Sequence, residues 1–315
     1  MIHKLSLPRL CLDSELKTLK GQYLDDGWIL HAITSDTDIF DSETGKKILS
    51  FRKKPLTGGE EQLKNFVKLA KPSRGRGPSA GPIDPESVYW KKRTLIDTKI
   101  SSTGYLKPDG TPSKMKVSNS VFSTPVGYFS AIKNLGVNLP CRLTGATQLH
   151  LAEYEGTIPY IEQISSMYRE LNRDAYEYQM ARAIQRPKFK IGTTPFSTVT
   201  INRTFRTGLH QDAGDYGGVA CLSVLQHGEY NGGIFLIPAY GIGVDLRHED
   251  VLVADVHQFH ANTELWTTPE QDARNALLPK IHNDNPAVGI LGSGTDYTRI
   301  SLVCYLREKV IDCPI

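Results

Sequence analysis

From residue 195 onward the chain repeats one pattern, a short run rich in Val, Ile, Leu and aromatics followed by a polar turn. FSTVTINR, GVACLSVLQ, GIFLIPA, DVLVAD and RISLVCYL are the runs. Apolar, β-branched runs of this length predict strands, and several at this spacing predict an all-β barrel or jelly roll. Asn231-Gly232-Gly233 stands between two of the runs and predicts a hairpin. Residues 267–294 interrupt the strands and read as a helix and loop inserted on the barrel rim.

Upstream the period changes. Tyr154, Ile158, Ile161, Ile164, Tyr168, Leu171, Ala175, Tyr178 and Ile184 recur mainly at intervals of three and four. This is one face of a long amphipathic helix, or of two helices with a bend. Pro159 is expected near a helix start at Thr157, and Pro187 ends the segment. Leu63, Phe66, Val67 and Ala70 predict a second helix over 60–70. Residues 1–50 predict short mixed strands with turns at Asp25-Asp26-Gly27 and Gly45. Residues 71–85, KPSRGRGPSAGPIDP, hold too much Gly, Pro and Arg for a regular element and form either a linker or a basic loop that touches phosphates.

Composition adds little beyond an ordinary globular protein, with 39% apolar and 23% charged residues over 315 positions. The five cysteines are spread widely, with no C-x-x-C pair, which predicts free thiols in a reducing compartment. The N-terminus lacks a signal-peptide run, and nowhere do 18 apolar residues follow one another. An intracellular protein with no membrane association is therefore expected, in the cytoplasm or nucleus, or in the host cytoplasm if the chain is viral. The net charge of +3 is unevenly spread: residues 46–116 hold 17 Lys/Arg against 6 Asp/Glu, an excess of 11, so the remainder carries −8. The basic stretch is either a solvated surface or a grip for a polyanion.

The chemistry concentrates in three places. His210-Gln211-Asp212 follows the first strand run, and an imidazole and a carboxylate two residues apart at a strand end can face one side. A later histidine would complete a two-His, one-carboxylate triad that leaves positions open on a ferrous ion. DVLVADVHQFHANTEL offers His257 and His260. His260 is favoured because it directly precedes the small residues Ala261-Asn262-Thr263 at the close of the strand. Arg299-Ile300-Ser301 opens the last run, where the guanidinium and the hydroxyl fall on one face and could anchor the far carboxylate of a keto-acid co-substrate.

H-x-D, a distal histidine about 50 residues later, then R-x-S on the final strand is the order of the double-stranded β-helix dioxygenases. TVTINRTFRTGLHQDAGD resembles the iron-binding strand of the TET/JBP family, which oxidises the methyl group of 5-methylcytosine or thymine in DNA. LQHGEYNGGIFLIPAYGIGVDLRHEDVLVADVHQFHANTEL and TRISLVCYLRE are similar to its central and closing strands, and CRLTGATQLHLAEYEGTIPYI to the helical layer of the thymine-hydroxylating branch. The similarity covers 85–307 and is strongest over 196–306. It implies an α+β fold with a double-stranded β-helix core, jelly-roll or cupin-like, and a flanking helical layer. The implied organisation is an N-terminal extension with its basic loop over 1–84 and the dioxygenase domain over 85–315.

The resemblance further implies Fe(II) on His210, Asp212 and His260, 2-oxoglutarate on Arg299 and Ser301, and O2 as oxidant. Asp215 falls where a polar residue of the family faces the target base, although beside Gly214 and Gly217-Gly218 it could equally stabilise a turn. DNA is the expected partner, with Lys53, Lys54, Arg74 and Arg76 as candidate phosphate contacts, and no protein partner is implied. Neither the cysteine-rich zinc region of animal TET proteins nor the base-J-reading domain of JBP has a counterpart here. The rival expectations are a same-fold dioxygenase of free nucleotides, small molecules or protein side chains, and a non-catalytic DNA-binding module.

Overall fold

Two-residue alternation sends each central strand's side chains into two different cores. In the strand Val219–His227, Cys221 and Leu225 pack against helices, while Leu222 and Val224 face a second sheet. Thr298–Tyr305 does the same, with Ile300, Leu302 and Cys304 on the helical side. The computed structural model in which this is seen describes residues 1–314 other than 75–76, 85–89, 92, 100–101, 115–117, 135–136 and 285–288.

The larger sheet runs His3–Leu7, Thr37–Asp41, Lys47–Arg52, Val251–Asp255, Val219–His227, Thr298–Tyr305, Thr198–Arg203, Ser120–Phe129, Arg142–Leu143. Pro72–Arg74 and Ile290–Leu291 also pair with Ser120–Phe129. The smaller sheet runs Ala261–Asn262, Phe235–Ile237, Ile242–Val244, His31–Ile33. One apolar cluster joins the two sheets and includes Leu222, Val224, Leu252, Phe235, Ile237 and Ile242. The outer face of the larger sheet is covered by the helices Gly59–Leu69 and Leu151–Leu171, through Phe66, Leu69, Ile161, Ile164 and Tyr168. Each of these five is fully buried, which contributes about 1.5–3 kcal/mol per large apolar side chain. This is a double-stranded β-helix with a helical layer, as expected.

Several local expectations change. Asn231-Gly232-Gly233 makes no hairpin between its flanking strands, because Val219–His227 lies in the larger sheet and Phe235–Ile237 in the smaller. It carries the chain from one sheet to the other, and Asn231–Gly232 pairs instead with Leu265–Trp266. Gly232 has φ +69°, and a Cβ there would stand 1.7 Å from the Glu264 carbonyl oxygen, so close backbone approach requires the glycine. Pro159 lies inside the helix Leu151–Leu171, not near its start. The bend falls at Asn172, whose side chain accepts from the Ala175 amide to start the helix Arg173–Ala183. The 71–85 segment does form regular pieces, Pro72–Arg74 on the sheet edge and a short turn of 3-10 helix at Pro78–Ala80.

The first 84 residues are built into the barrel: four of their strands, Pro72–Arg74 among them, pair into the larger sheet and His31–Ile33 completes the smaller. Short strands bury too little surface to stand alone, so pairing with 242–255 decides their place. The expectation of five free thiols is overturned by a disulfide between Cys141 and Cys313, and the inference of a reducing compartment falls with it. Cys11, Cys221 and Cys304 are free, the last two fully buried. A separation of 172 residues leaves no spacing pattern from which the pairing could be read. No helix among the described residues is long and apolar enough to cross a membrane.

Alkylation of the denatured, unreduced protein should therefore label three of the five cysteines, and all five after reduction, as counted by intact mass. Cys141→Ser should lower unfolding stability by about 2–5 kcal/mol in denaturant titration. Five labels without reductant would show that the bond is not formed.

Candidate metal centre and its cavity

A reciprocal main-chain pair sets the centre. The His210 amide donates to the His260 carbonyl at 3.0 Å, and the His260 amide donates back at 2.9 Å. Residues opposed in such an antiparallel pair project their side chains to the same side. The imidazole centroids stand 4.3 Å apart. Asp212 is fixed on the same strand end by its own amide, which donates to the Val256 carbonyl at 3.0 Å.

The ring orientations are fixed as well. Nδ1 of His210 is 2.8 Å from the Gly208 carbonyl, and Nδ1 of His260 is 2.9 Å from the Gln258 carbonyl. A carbonyl only accepts, so each Nδ1 carries a hydrogen and each ring turns its Nε2 to the centre. Those Nε2 atoms stand 3.7 and 3.6 Å from the two Asp212 carboxylate oxygens. One ligand atom from each of the three side chains lies within 4.8 Å of the others, close enough to hold one cation. The Phe235 ring lies along His260 at 5.4 Å and shields it from the small-sheet side.

Electrostatics follow from this crowding. Burial and the neighbouring His260 hold the His210 imidazole down to about 4, so it is neutral at physiological pH. Burial works to raise Asp212, but the polar contact with His260 and the attraction of the His210, His260 and His257 imidazoles outweigh it and hold the carboxyl down to about 2. Burial pushes His260 down, yet its hydrogen bond and attraction to Asp212 win and raise it. The cluster is thus a carboxylate ready to bind a cation, beside one neutral imidazole free to coordinate and one at which a cation competes with a proton that Asp212 favours.

Behind the cluster opens a cavity of about 720 Å³, within the range of small-molecule sites. Arg299, Ser301, Val303, Tyr305 and Arg307 line it in succession, every second residue of the last strand and its extension. Arg299 is 3% exposed, yet among the described residues no carboxylate pairs with it. One terminal nitrogen makes a long 3.4 Å bond to the Gly233 carbonyl, and Nε has no partner. A buried guanidinium left without a counter-charge is costly unless an anion comes to it.

Asp215 also lines the cavity and is 7% exposed. Burial, then repulsion by Asp212, raises its carboxyl well above the usual range against the pull of Arg307. The adjoining turn uses Asp215 backbone only, since its carbonyl accepts from Gly218 and its side chain caps nothing. Oδ2 has no partner, so the turn-stabilising role is not what this carboxyl performs.

His257 is not part of the cluster. Its Nε2 lies 3.1 Å from the Asp215 carbonyl, and its ring packs over Gly218. The basic candidates scatter. Lys53 and Lys54 stand where Lys47–Arg52 ends, against Asp250, at the opposite end of Val251–Asp255 from the histidines. Arg74 closes the strand Pro72–Arg74, whose Ser73 lines the cavity, and Arg76 lies outside the described residues. Tyr305 and Arg307 went unnoticed in the sequence, although continuing the period of two from Arg299 and Ser301 points to both.

Comparisons with known proteins agree with the geometry. The sequence profile of Tet_JBP, the oxygenase domain of the 2OGFeDO superfamily, matches residues 124–308. The chain is 38% identical to the thymine dioxygenase JBP1 of Trypanosoma brucei brucei over 140 residues, 44% of this chain and 16% of that protein. It is 34% identical to the thymine dioxygenase JBP1 of Leishmania infantum over 237 residues, 75% of this chain and 26% of that protein. The chain thus spans about a quarter or less of these relatives. Its fold is similar to that of NgTET1, solved in complex with 5mC DNA, with a TM-score of 0.51 and 12% identity over 96% of this chain and 90% of that one.

His260→Ala should abolish Fe(II) binding in anaerobic titration, whereas His257→Ala should keep most of it. The opposite result would move the third ligand to His257. Because a cation must displace the proton that Asp212 holds on His260, apparent affinity should fall by about tenfold per pH unit below the raised His260 value. Affinity that stays flat on acidification through that range would count against His260 as a ligand.

Proposed function

This chain belongs to the Tet_JBP family of oxygenase domains, and on that premise we propose that it is an Fe(II)- and 2-oxoglutarate-dependent dioxygenase that hydroxylates the methyl group of thymine or 5-methylcytosine in DNA. One observation carries the reading: a single cavity holds both a His-Asp-His cluster and a buried guanidinium that, among the described residues, has no carboxylate partner. The cluster fits ferrous iron, since two imidazoles and one carboxylate on one side leave positions for a chelating co-substrate and O2. Bound there, the iron with its co-substrate supplies the oxidising power that breaks a methyl C–H bond, and the protein supplies orientation and a shielded pocket.

His210, Asp212 and His260 are the ligands in this reading. The co-substrate's far carboxylate meets the Arg299 fork, with the Ser301 hydroxyl beside it on the same strand face. Asp215, with its free Oδ2 on the same cavity, contacts the edge of the target base. A base inside a duplex cannot enter such a cavity, so the nucleotide must be flipped out or already single-stranded. The relatives' names, thymine dioxygenase, and the neighbour's complex with 5mC DNA support a pyrimidine methyl as the target. DNA as substrate also supports an intracellular enzyme.

The reading is tested by nucleoside mass spectrometry of DNA incubated with the protein, Fe(II) and 2-oxoglutarate. Hydroxymethylated pyrimidine is expected from DNA, and equal turnover of free nucleotide would favour the small-molecule rival. Arg299→Gln should weaken 2-oxoglutarate binding by roughly 10- to 1000-fold, the loss of a charge-assisted contact; unchanged affinity would place the anchor elsewhere. Asp215→Ala should retain DNA affinity while losing product, because one base-edge contact adds little to a phosphate-dominated grip.

A further inference from the structure

A nucleotide seated in the cavity brings its own flanking phosphates to the rim. The cations that grip DNA should therefore adjoin the wall that receives the base. Lys53 and Lys54, at the far end of their strand, do not. Another set does. The Arg307 and Arg142 guanidinium carbons lie 4.8 and 6.0 Å from the ring centroid of Phe129, and both Phe129 and Arg307 line the cavity. Residue 215 pairs in a backbone bridge with Arg307. Its neighbour Tyr216 stacks on Tyr178 at 5.1 Å, and the Tyr216 hydroxyl accepts from Arg182 Nε at 2.9 Å. Arg142 and Arg182 are thus linked through Phe129 and Tyr216 to the cavity-lining residues Arg307 and Asp215.

Their charge is not spent. Among the described residues, no carboxylate forms an ion pair with Arg142 or Arg182, and Arg307 attracts Asp215 without an ion pair to it. They are mounted on aromatic rings and hydroxyls, contacts that position a guanidinium without neutralising it. Arg142 and Arg182 are solvent-facing at their polar ends, and Tyr178 is 56% exposed. The local sequence is basic in the same sense: residues 173–190 hold Arg173, Arg182, Arg186, Lys188 and Lys190 against Asp174 and Glu177, in a part of the chain that is otherwise net acidic. Phe189 of this segment meets Tyr128, beside Phe129, edge-on at 5.7 Å. Guanidiniums set among aromatic rings beside a base-sized cavity are the chemistry of a nucleic-acid surface.

We propose that Arg142, Arg182 and Arg307, carried on Phe129 and Tyr216, form the phosphate-contacting rim that holds the DNA backbone on either side of the extruded nucleotide. The proposal rests on the DNA-oxygenase reading above and adds where the backbone lies. It moves the main grip from the 46–116 stretch to a rim assembled from three distant parts of the chain.

The test is fluorescence anisotropy of a labelled duplex with the full chain over a range of salt concentrations, alongside product formation from the same duplex. Each phosphate contact contributes about 0.9 to the slope of log affinity against log salt. The R142Q/R182Q variant should therefore flatten the slope by about 1.8 and weaken binding roughly tenfold at moderate salt, while R142K/R182K keeps most of the slope. An unchanged slope in R142Q/R182Q, with wild-type protein still oxidising the duplex, overturns the rim and leaves the oxygenase reading standing. Failure of the Lys pair to restore the slope marks the arginines as structural and also overturns it, as does a slope lost in K53Q/K54Q instead. A wild-type protein that neither binds nor oxidises DNA removes the reading and the rim together.

Discussion

The reciprocal main-chain pair between His210 and His260 is the contact on which the rest of the site depends. It closes the end of the barrel and opposes two histidines 50 positions apart in the chain. The same pair holds Asp212 within reach of both rings, since Asp212 is two residues beyond His210. Because the Nδ1 atoms are committed to carbonyls, the metal-facing side is decided by backbone geometry before any cation arrives. A backbone hydrogen bond contributes only about 1 kcal/mol net. What this pair supplies is alignment, which two independent loops would have to supply by ordering themselves at each turnover.

The large sheet bears the cost of the site. Its strands are buried on both faces, and the face turned away from the cavity is filled by helices packed through fully buried Ile161, Ile164 and Tyr168. That packing allows the inward face to carry groups that stabilise nothing by themselves. Among the described residues, Arg299 is buried without a carboxylate partner, and Asp215 is buried with an oxygen that has no hydrogen-bond partner. Both would be defects in a protein whose interior served stability alone. Here both lie in one cavity with the histidine cluster, where an anionic co-substrate and a polar base edge would satisfy them. The cavity is therefore polar in two places and apolar between them, at Leu222, Leu246, Phe235 and Val303, which suits a flat ring held by its edges.

What the sequence by itself determined was whatever depends on neighbours along the chain. The strand runs after residue 195, the helix over 60–70 and the helical face of 151–185 were legible because burial imposes periods of two and of 3.6. His210 and Asp212 were legible for the same reason, two residues apart on one strand end, and so was the shared face of Arg299 and Ser301. His260 was favoured over His257 by the small residues Ala261-Asn262-Thr263 that follow it, and the resemblance strengthened that choice, because nothing local says which ring faces a partner strand. What only the tertiary structure decided was pairing between distant segments: the crossing from sheet to sheet at Asn231-Gly232-Gly233, the N-terminal strands built into both sheets, and the bond between Cys141 and Cys313. The proposed rim was invisible for the same physical reason. Arg142, Arg182 and Arg307 share no local pattern, and only strand pairing at Phe129 and Asp215, together with the packing of the Arg173–Ala183 helix against Tyr216, brings them near one another.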